Sequence, residues 1–123
     1  MPSIIPTEIV LKLPDNLRLT QETDWSRARG GGPLHSFLEG PAFDREGRFY
    51  CVDVCHGRIF RVSRDGAWET FAAYGGRPNG LRIHRDGRVF VADPRREVIL
   101  SYPPDVEQKE LLRDLERLLS GSE

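Results

Sequence analysis

The amino-acid sequence predicts an all-β chain containing two four-stranded β-propeller blades. Three observations carry this. The middle of the chain repeats itself at an offset of 40 residues. Each repeat is a series of short strands of the length a blade requires. The joints between those strands carry turn residues, Glu46-Gly47, Asp65-Gly66 and Asp86-Gly87 among them. A repeat of this length holding several short strands is the signature of propeller blades.

The repeat is direct. Gly40 aligns with Gly80, Arg45 with Arg85, Gly47 with Gly87, Arg48 with Arg88, Asp53 with Asp93 and Ile59 with Ile99. Apolar positions agree as well: Phe43 with Ile83, Phe49 with Val89, Phe60 with Leu100. In the first repeat, 41–44 reads as a short inner strand and Glu46-Gly47 as a turn. Strands over 48–54 and 58–63 follow, joined by Cys55-His56-Gly57. Asp65-Gly66 supplies the positive φ of a tight hairpin, which leads to an outer strand over 68–73. The second repeat gives strands over 81–84, 88–92 and 97–102, with Pro103-Pro104-Asp105 at the third turn.

The flanks are less regular. Glu8 to Leu13 reads as one strand, 14–29 as polar and irregular, and Gly30-Gly31-Gly32-Pro33 as a flexible loop. In the tail, the repeat register places an outer strand over 107–112. Val106, Leu111, Leu112, Leu115, Leu118 and Leu119 also fit a helical stripe, so a short C-terminal helix is the alternative. The expected organisation is therefore an N-terminal strand and loop segment over 1–33, blade 1 over 34–74, blade 2 over 75–113 and a tail over 114–123. Two blades are fewer than a closed ring of four to eight requires, so the chain reads as part of a propeller, with the tail as a truncation point, or as a self-associating unit.

Composition narrows the function classes. The chain has 123 residues, 18 Lys+Arg against 19 Asp+Glu and 38% hydrophobic residues, which is a globular composition. The near-zero net charge speaks against a nucleic-acid partner. No apolar run approaches the ~20 residues of a membrane span, and no signal peptide is evident, so a cytoplasmic location and no membrane partner are expected. Cys51 and Cys55 stand four apart on one extended run, about 13 Å in a strand, too far for a disulfide. They read as free structural thiols.

Candidate chemistry lies where each inner strand begins. Glu39 and Asn79 occupy equivalent positions, each followed by glycine. A carboxylate and an amide oxygen converging from two blades are hard ligands suited to Ca²⁺, Mg²⁺ or Zn²⁺. A plain turn at Asn79-Gly80 and a solvated Glu39 would satisfy the pattern equally. His35, in the loop entering the first repeat, is a candidate substrate contact. His56 and His84 read as structural. Asp53 and Asp93 end equivalent strands and read as acceptors for backbone N–H groups at the turn that follows.

The segment Leu34-His35-Ser36-Phe37-Leu38-Glu39-Gly40-Pro41-Ala42-Phe43-Asp44 resembles the opening of the senescence marker protein, gluconolactonase and luciferin-regenerating enzyme family. Gly57-Arg58-Ile59-Phe60-Arg61-Val62 and the run from Arg77-Pro78-Asn79-Gly80-Leu81 to Asp93 are similar to it too. The resemblance covers about residues 34–102. It implies a six-bladed β-propeller with one divalent cation in the central channel, Ca²⁺ first among the candidates, and hydrolysis of a sugar-lactone-like substrate. It makes Glu39 a metal ligand and catalytic residue. Asn79 becomes a catalytic, substrate-facing residue, with His35 beside it at the substrate. Further Asn and Asp ligands are implied from later blades, so the metal set within these 123 residues is incomplete. The alternative is a non-catalytic propeller segment for binding or assembly, self-associating through exposed blade edges.

Overall fold

The computed structural model describes residues 3–73, 76–92 and 98–102. Strands β1 (Leu38–Phe43), β2 (Phe49–Asp53), β3 (Arg58–Val62) and β4 (Trp68–Ala73) form one antiparallel sheet in chain order. Strands β5 (Gly80–Ile83), β6 (Val89–Ala92) and β7 (Val98–Tyr102) form a second antiparallel sheet, again in chain order. The all-β expectation holds, and the two sheets are blade-like meanders. The expected strand at 107–112, the Pro103-Pro104-Asp105 turn, the helical alternative and Asp93 lie outside the described residues.

The repeat extends to the pairing register. Phe49↔Val62, Tyr50↔Arg61 and Cys51↔Phe60 in the first sheet become Val89↔Tyr102, Phe90↔Ser101 and Val91↔Leu100 in the second. Turns repeat as well. Gly47 N–H donates to Asp44 O at 3.1 Å, and Gly87 N–H donates to His84 O at 2.8 Å. At the third turn Gly66 takes φ +88°, and its N–H donates to Ser63 O at 2.9 Å, which closes the β3–β4 hairpin.

Strand alternation gives the first sheet two apolar faces. Tyr50, Val52, Ile59, Phe71 and Ala72 point toward the second sheet and pack on Leu81, Val89 and Val91. This is the main core. Cys51 and Phe60 point the other way and are covered by Leu13, with Leu17, Phe49 and Trp68 around them. Trp25, Val54 and Cys55 form a third, smaller cluster.

The N-terminal segment corrects the sequence reading. The stretch expected as a strand, Glu8 to Leu13, carries no strand. Leu13 is buried on side chains of the central strands β2 and β3, so the segment crosses the face of the sheet. A chain lying over a face has no edge of N–H and C=O groups to pair with, and its apolar residues anchor it through side chains alone. The region expected as irregular contains a 3₁₀ turn, Asp15–Leu17, and a one-turn helix α1, Asp24–Arg27. Thr23 caps α1: its Oγ1 accepts from Ser26 N–H at 3.1 Å, and Ser26 Oγ pairs with Thr23 N–H at 3.0 Å. The triglycine loop is pinned, because Gly31 N–H donates to Ser26 O and Gly32 N–H to the Glu22 carboxylate, at 3.0 and 2.6 Å.

Candidate active site

The two sheets meet most closely at the starts of their first strands. Gly40 sits at φ +62° in an irregularity of the β1–β2 ladder between Glu39 and Ala42. A Cβ on Gly40 would lie 2.9 Å from Leu81 N and 3.3 Å from Gly80 Cα. Only glycine permits this backbone approach. The approach places the preceding residues, Glu39 and Asn79, together.

Glu39 is half-buried on β1 opposite Val52. Asn79 is half-buried too, and its N–H donates to Ala92 O at 3.1 Å, continuing the β5–β6 ladder by one residue. Both line one cleft of about 260 Å³ whose other walls are Trp25, Phe37 and Val54, with Arg29 and Arg77 at its border. Trp25 and Phe37 pack ring on ring at 4.8 Å, and the Arg29 guanidinium lies 3.9 Å from the Trp25 ring centre. The cleft thus combines an acid, an amide and two guanidinium groups over an aromatic floor.

A buried ion pair holds this side of the molecule in shape. Asp53 is fully buried. Its Oδ1 accepts from Phe37 N–H and Cys55 N–H at 2.9 and 3.1 Å, and its Oδ2 accepts from Arg58 Nε and Nη2 at 2.9 and 2.8 Å. Arg58 also donates to Leu17 O and His35 O, at 2.6 and 3.2 Å. All the lone pairs and N–H groups named are matched, which a buried pair requires. Asp53 has the turn-acceptor role expected of it, and it also ties the segment before β1 to the end of β2.

His35 lies outside the cleft. It is exposed, and its Nδ1 is 2.9 Å from Leu19 O. His56 Nε2 is 2.6 Å from Leu34 O, and His84 Nδ1 is 3.0 Å from the Asp86 carboxylate. Cys51 and Cys55 are free and buried. Among the described residues no three His, Cys, Asp or Glu side chains gather closely enough to hold a metal. In donor chemistry Glu39 and Asn79 would offer two hard oxygens, of the six to eight that a Ca²⁺ ion takes.

Comparison with known proteins finds partial likenesses. A 56-residue stretch is 39% identical to the Lactonase drp35 of Staphylococcus aureus strain bovine RF122 / ET3-1, and it covers 44% of this chain and 17% of that protein. The same enzyme of S. aureus USA300 and of S. epidermidis ATCC 35984 is 38% identical over the same shares. Part of this chain is similar to known lactonases. The chain spans about a sixth of the length of these relatives. A family model described as "Transmembrane-like, thioredoxin-like, C-terminal domain" matches residues 73–122, fewer than half of the chain. Of that range the described residues form the antiparallel strands β5 to β7, and among the described residues no helix is long and apolar enough to cross a membrane. No solved structure matches.

Sequence reasoning did not single out Trp25, Arg29, Phe37 or Arg77 as lining residues. Thr23-x-x-Ser26 is a readable cap signal that could have located α1 and Trp25. Arg77, two residues before Asn79 and next to the buried Pro78, could have been read as part of the same strand entrance.

Proposed function

We propose that this chain carries part of a cation-assisted lactone hydrolase site of the gluconolactonase type, in a six-bladed propeller. The observation that supports it best is the convergence of Glu39 and Asn79 in one cleft across the Gly40–Gly80 contact. The similarity to Lactonase drp35 points the same way.

In this reading Glu39 and the Asn79 side-chain oxygen hold a divalent cation, Ca²⁺ before Zn²⁺ or Mg²⁺. When bound, such a cation would polarise a lactone carbonyl and offset the negative charge that develops on its oxygen. The Asn79 side-chain NH2 donates to a substrate hydroxyl or ring oxygen and orients it. Water adds to the carbonyl carbon, the ring C–O bond breaks, and the proton ends on the released hydroxyl. The product is a hydroxy acid, and the positive charge of Arg29 and Arg77 favours its carboxylate. The Trp25 and Phe37 rings give the sugar-like ring an apolar surface. His35 acts as an anchor of the segment leading into β1. The remaining oxygen ligands come from outside the described residues, and the site works in the cytoplasm.

The test is a terbium titration read by luminescence, because Trp25 in the same cleft can sensitise a bound ion, paired with lactone hydrolysis followed by acid release. In the complete propeller, wild type should bind terbium, with Ca²⁺ competing, and Glu39→Gln should lose most of both binding and turnover. Equal terbium binding and equal turnover in Glu39→Gln would overturn the assignment.

A second reading is a non-catalytic segment used in assembly. It is favoured by the apolar groove lined by Phe43 and Phe49 on the other face of the first sheet.

A further inference from the structure

The second groove of interest is apolar, has a volume of about 440 Å³ and lies on the face of the first sheet that points away from the second. Four of the residues lining it are Pro41, Phe43, Phe49 and Cys51. Moved by the 40-residue repeat, these become Leu81, Ile83, Val89 and Val91. In the second sheet those four are the residues packed against the first sheet, on Tyr50, Val52, Ile59 and Phe71. The groove is therefore the same docking face, one blade earlier, with no blade seated on it among the described residues. The N-terminal segment closes only part of it. Leu13 is buried over Cys51 and Phe60, whereas Phe43 is 68% exposed and Leu38 39%. The partner face is present in this chain as well. Shifted by 40, Tyr50 and Val52 become Phe90 and Ala92, which alternate with Val89 and Val91 on β6 and so point away from the first sheet.

We infer that a second copy of this chain seats its Phe90–Ala92 face in the Phe43–Phe49 groove, repeating between copies the packing that joins the two sheets within one. The contact is head-to-tail, with different patches on the two copies, so it propagates until a ring closes. This inference rests on the repeat and the groove and not on the lactonase chemistry, and it shares with that reading only the propeller geometry.

Sedimentation velocity of the full chain across the micromolar range tests it. Wild type should assemble with rising concentration, and Phe43→Asp and Phe90→Asp should each stay monomeric with an unchanged circular dichroism spectrum. Phe43 is exposed in the single copy, so its replacement leaves the core intact; Leu38→Asp, in the same groove, gives a second variant with the same expectation. Mixing F43D with F90D should restore a one-to-one dimer and nothing larger, because one intact groove meets one intact blade face. A wild-type chain that stays monomeric throughout would overturn the inference and leave the groove to a different polypeptide. So would F90D assembling like wild type while F43D does not, which would mean groove-to-groove pairing.

Discussion

Gly40 and Gly80 face each other across the two sheets at a distance that leaves no room for a side chain on Gly40. The missing Cβ would meet Leu81 N at 2.9 Å and Gly80 Cα at 3.3 Å, and the backbone is at φ +62°. The two glycines are not equivalent in what they tolerate. A Cβ on Gly80 would meet only the Ala92 side chain, at an ordinary 3.7 Å. Gly40→Ala combines a left-handed conformation with a backbone overlap and should cost about 2–4 kcal/mol. Gly80→Ala should cost under about 1 kcal/mol. Urea unfolding of both variants measures this, and equal losses would contradict the packing.

The Asp53–Arg58 pair should behave as a buried network does. Removing either partner leaves the other charged, buried and without its ion partner, so Asp53→Ala or Arg58→Ala should destabilise by about 3–5 kcal/mol. Asp53→Asn keeps an oxygen for the Phe37 and Cys55 N–H groups and should cost less than Asp53→Ala. Equilibrium unfolding of the three variants tests the order.

Cys51 should be chemically silent in the native protein. Burial, with the nearby Asp53 charge adding to it, pushes its thiol up to about 12, so the thiolate is scarce at neutral pH. A thiol reagent at about pH 8 should label Cys51 only after denaturant is added. Rapid labelling of Cys51 in the native chain would mean that the Leu13 cover opens freely.

Much of the fold was legible because a repeat reports on itself twice. The turns Glu46-Gly47 and Asp86-Gly87 and the alternation over 48–54 and 88–92 each had a counterpart 40 residues away, and the observed strands fall within a few residues of both. The segment before residue 30 has no counterpart. Its apolar run 8–13 looked like a strand, yet a period of two does not distinguish a chain that pairs at an edge from one that crosses a face. The cleft was legible only in part. Glu39 and Asn79 were marked by the repeat, whereas Trp25 reaches the site from an unrepeated helix and Arg29 from the turn after it. His35 looked close in sequence to Glu39, but its ring turns to Leu19 O. Four residues of loop do not determine which way a side chain points.

One position where the repeat breaks gives a prediction for acid solution. Asp44 is replaced by His84 forty residues on, yet the job done by Asp44 is still done. Asp44 accepts from Arg48 N–H at 2.9 Å and Arg48 Nε at 2.7 Å; in the second sheet Asp86 accepts from Arg88 N–H at 3.0 Å and Arg88 Nε at 2.9 Å. Both carboxyls are shifted down. Burial works against the Asp44 carboxylate, but the Arg48 N–H, the Arg48 guanidinium and the Tyr50 hydroxyl outweigh it and hold its pKa below the usual 3.8. For Asp86 the Arg88 N–H is the largest influence, and the value falls to about 2. A carboxyl whose folded pKa is lowered stabilises the fold fully above its unfolded value, and that contribution is lost as pH falls through the folded one. Stability should therefore hold from neutral pH down to the ordinary aspartate range and decline below it. Asp44 is nearly enclosed and Asp86 is open to water, so Asp44→Asn should remove more of the acid-side slope than Asp86→Asn. Carboxyl-detected NMR titration gives the two pKa values directly, and urea unfolding between neutral pH and about pH 2 gives the slope. An Asp86 that titrates at the ordinary aspartate value would show that the second turn is not held as the first is.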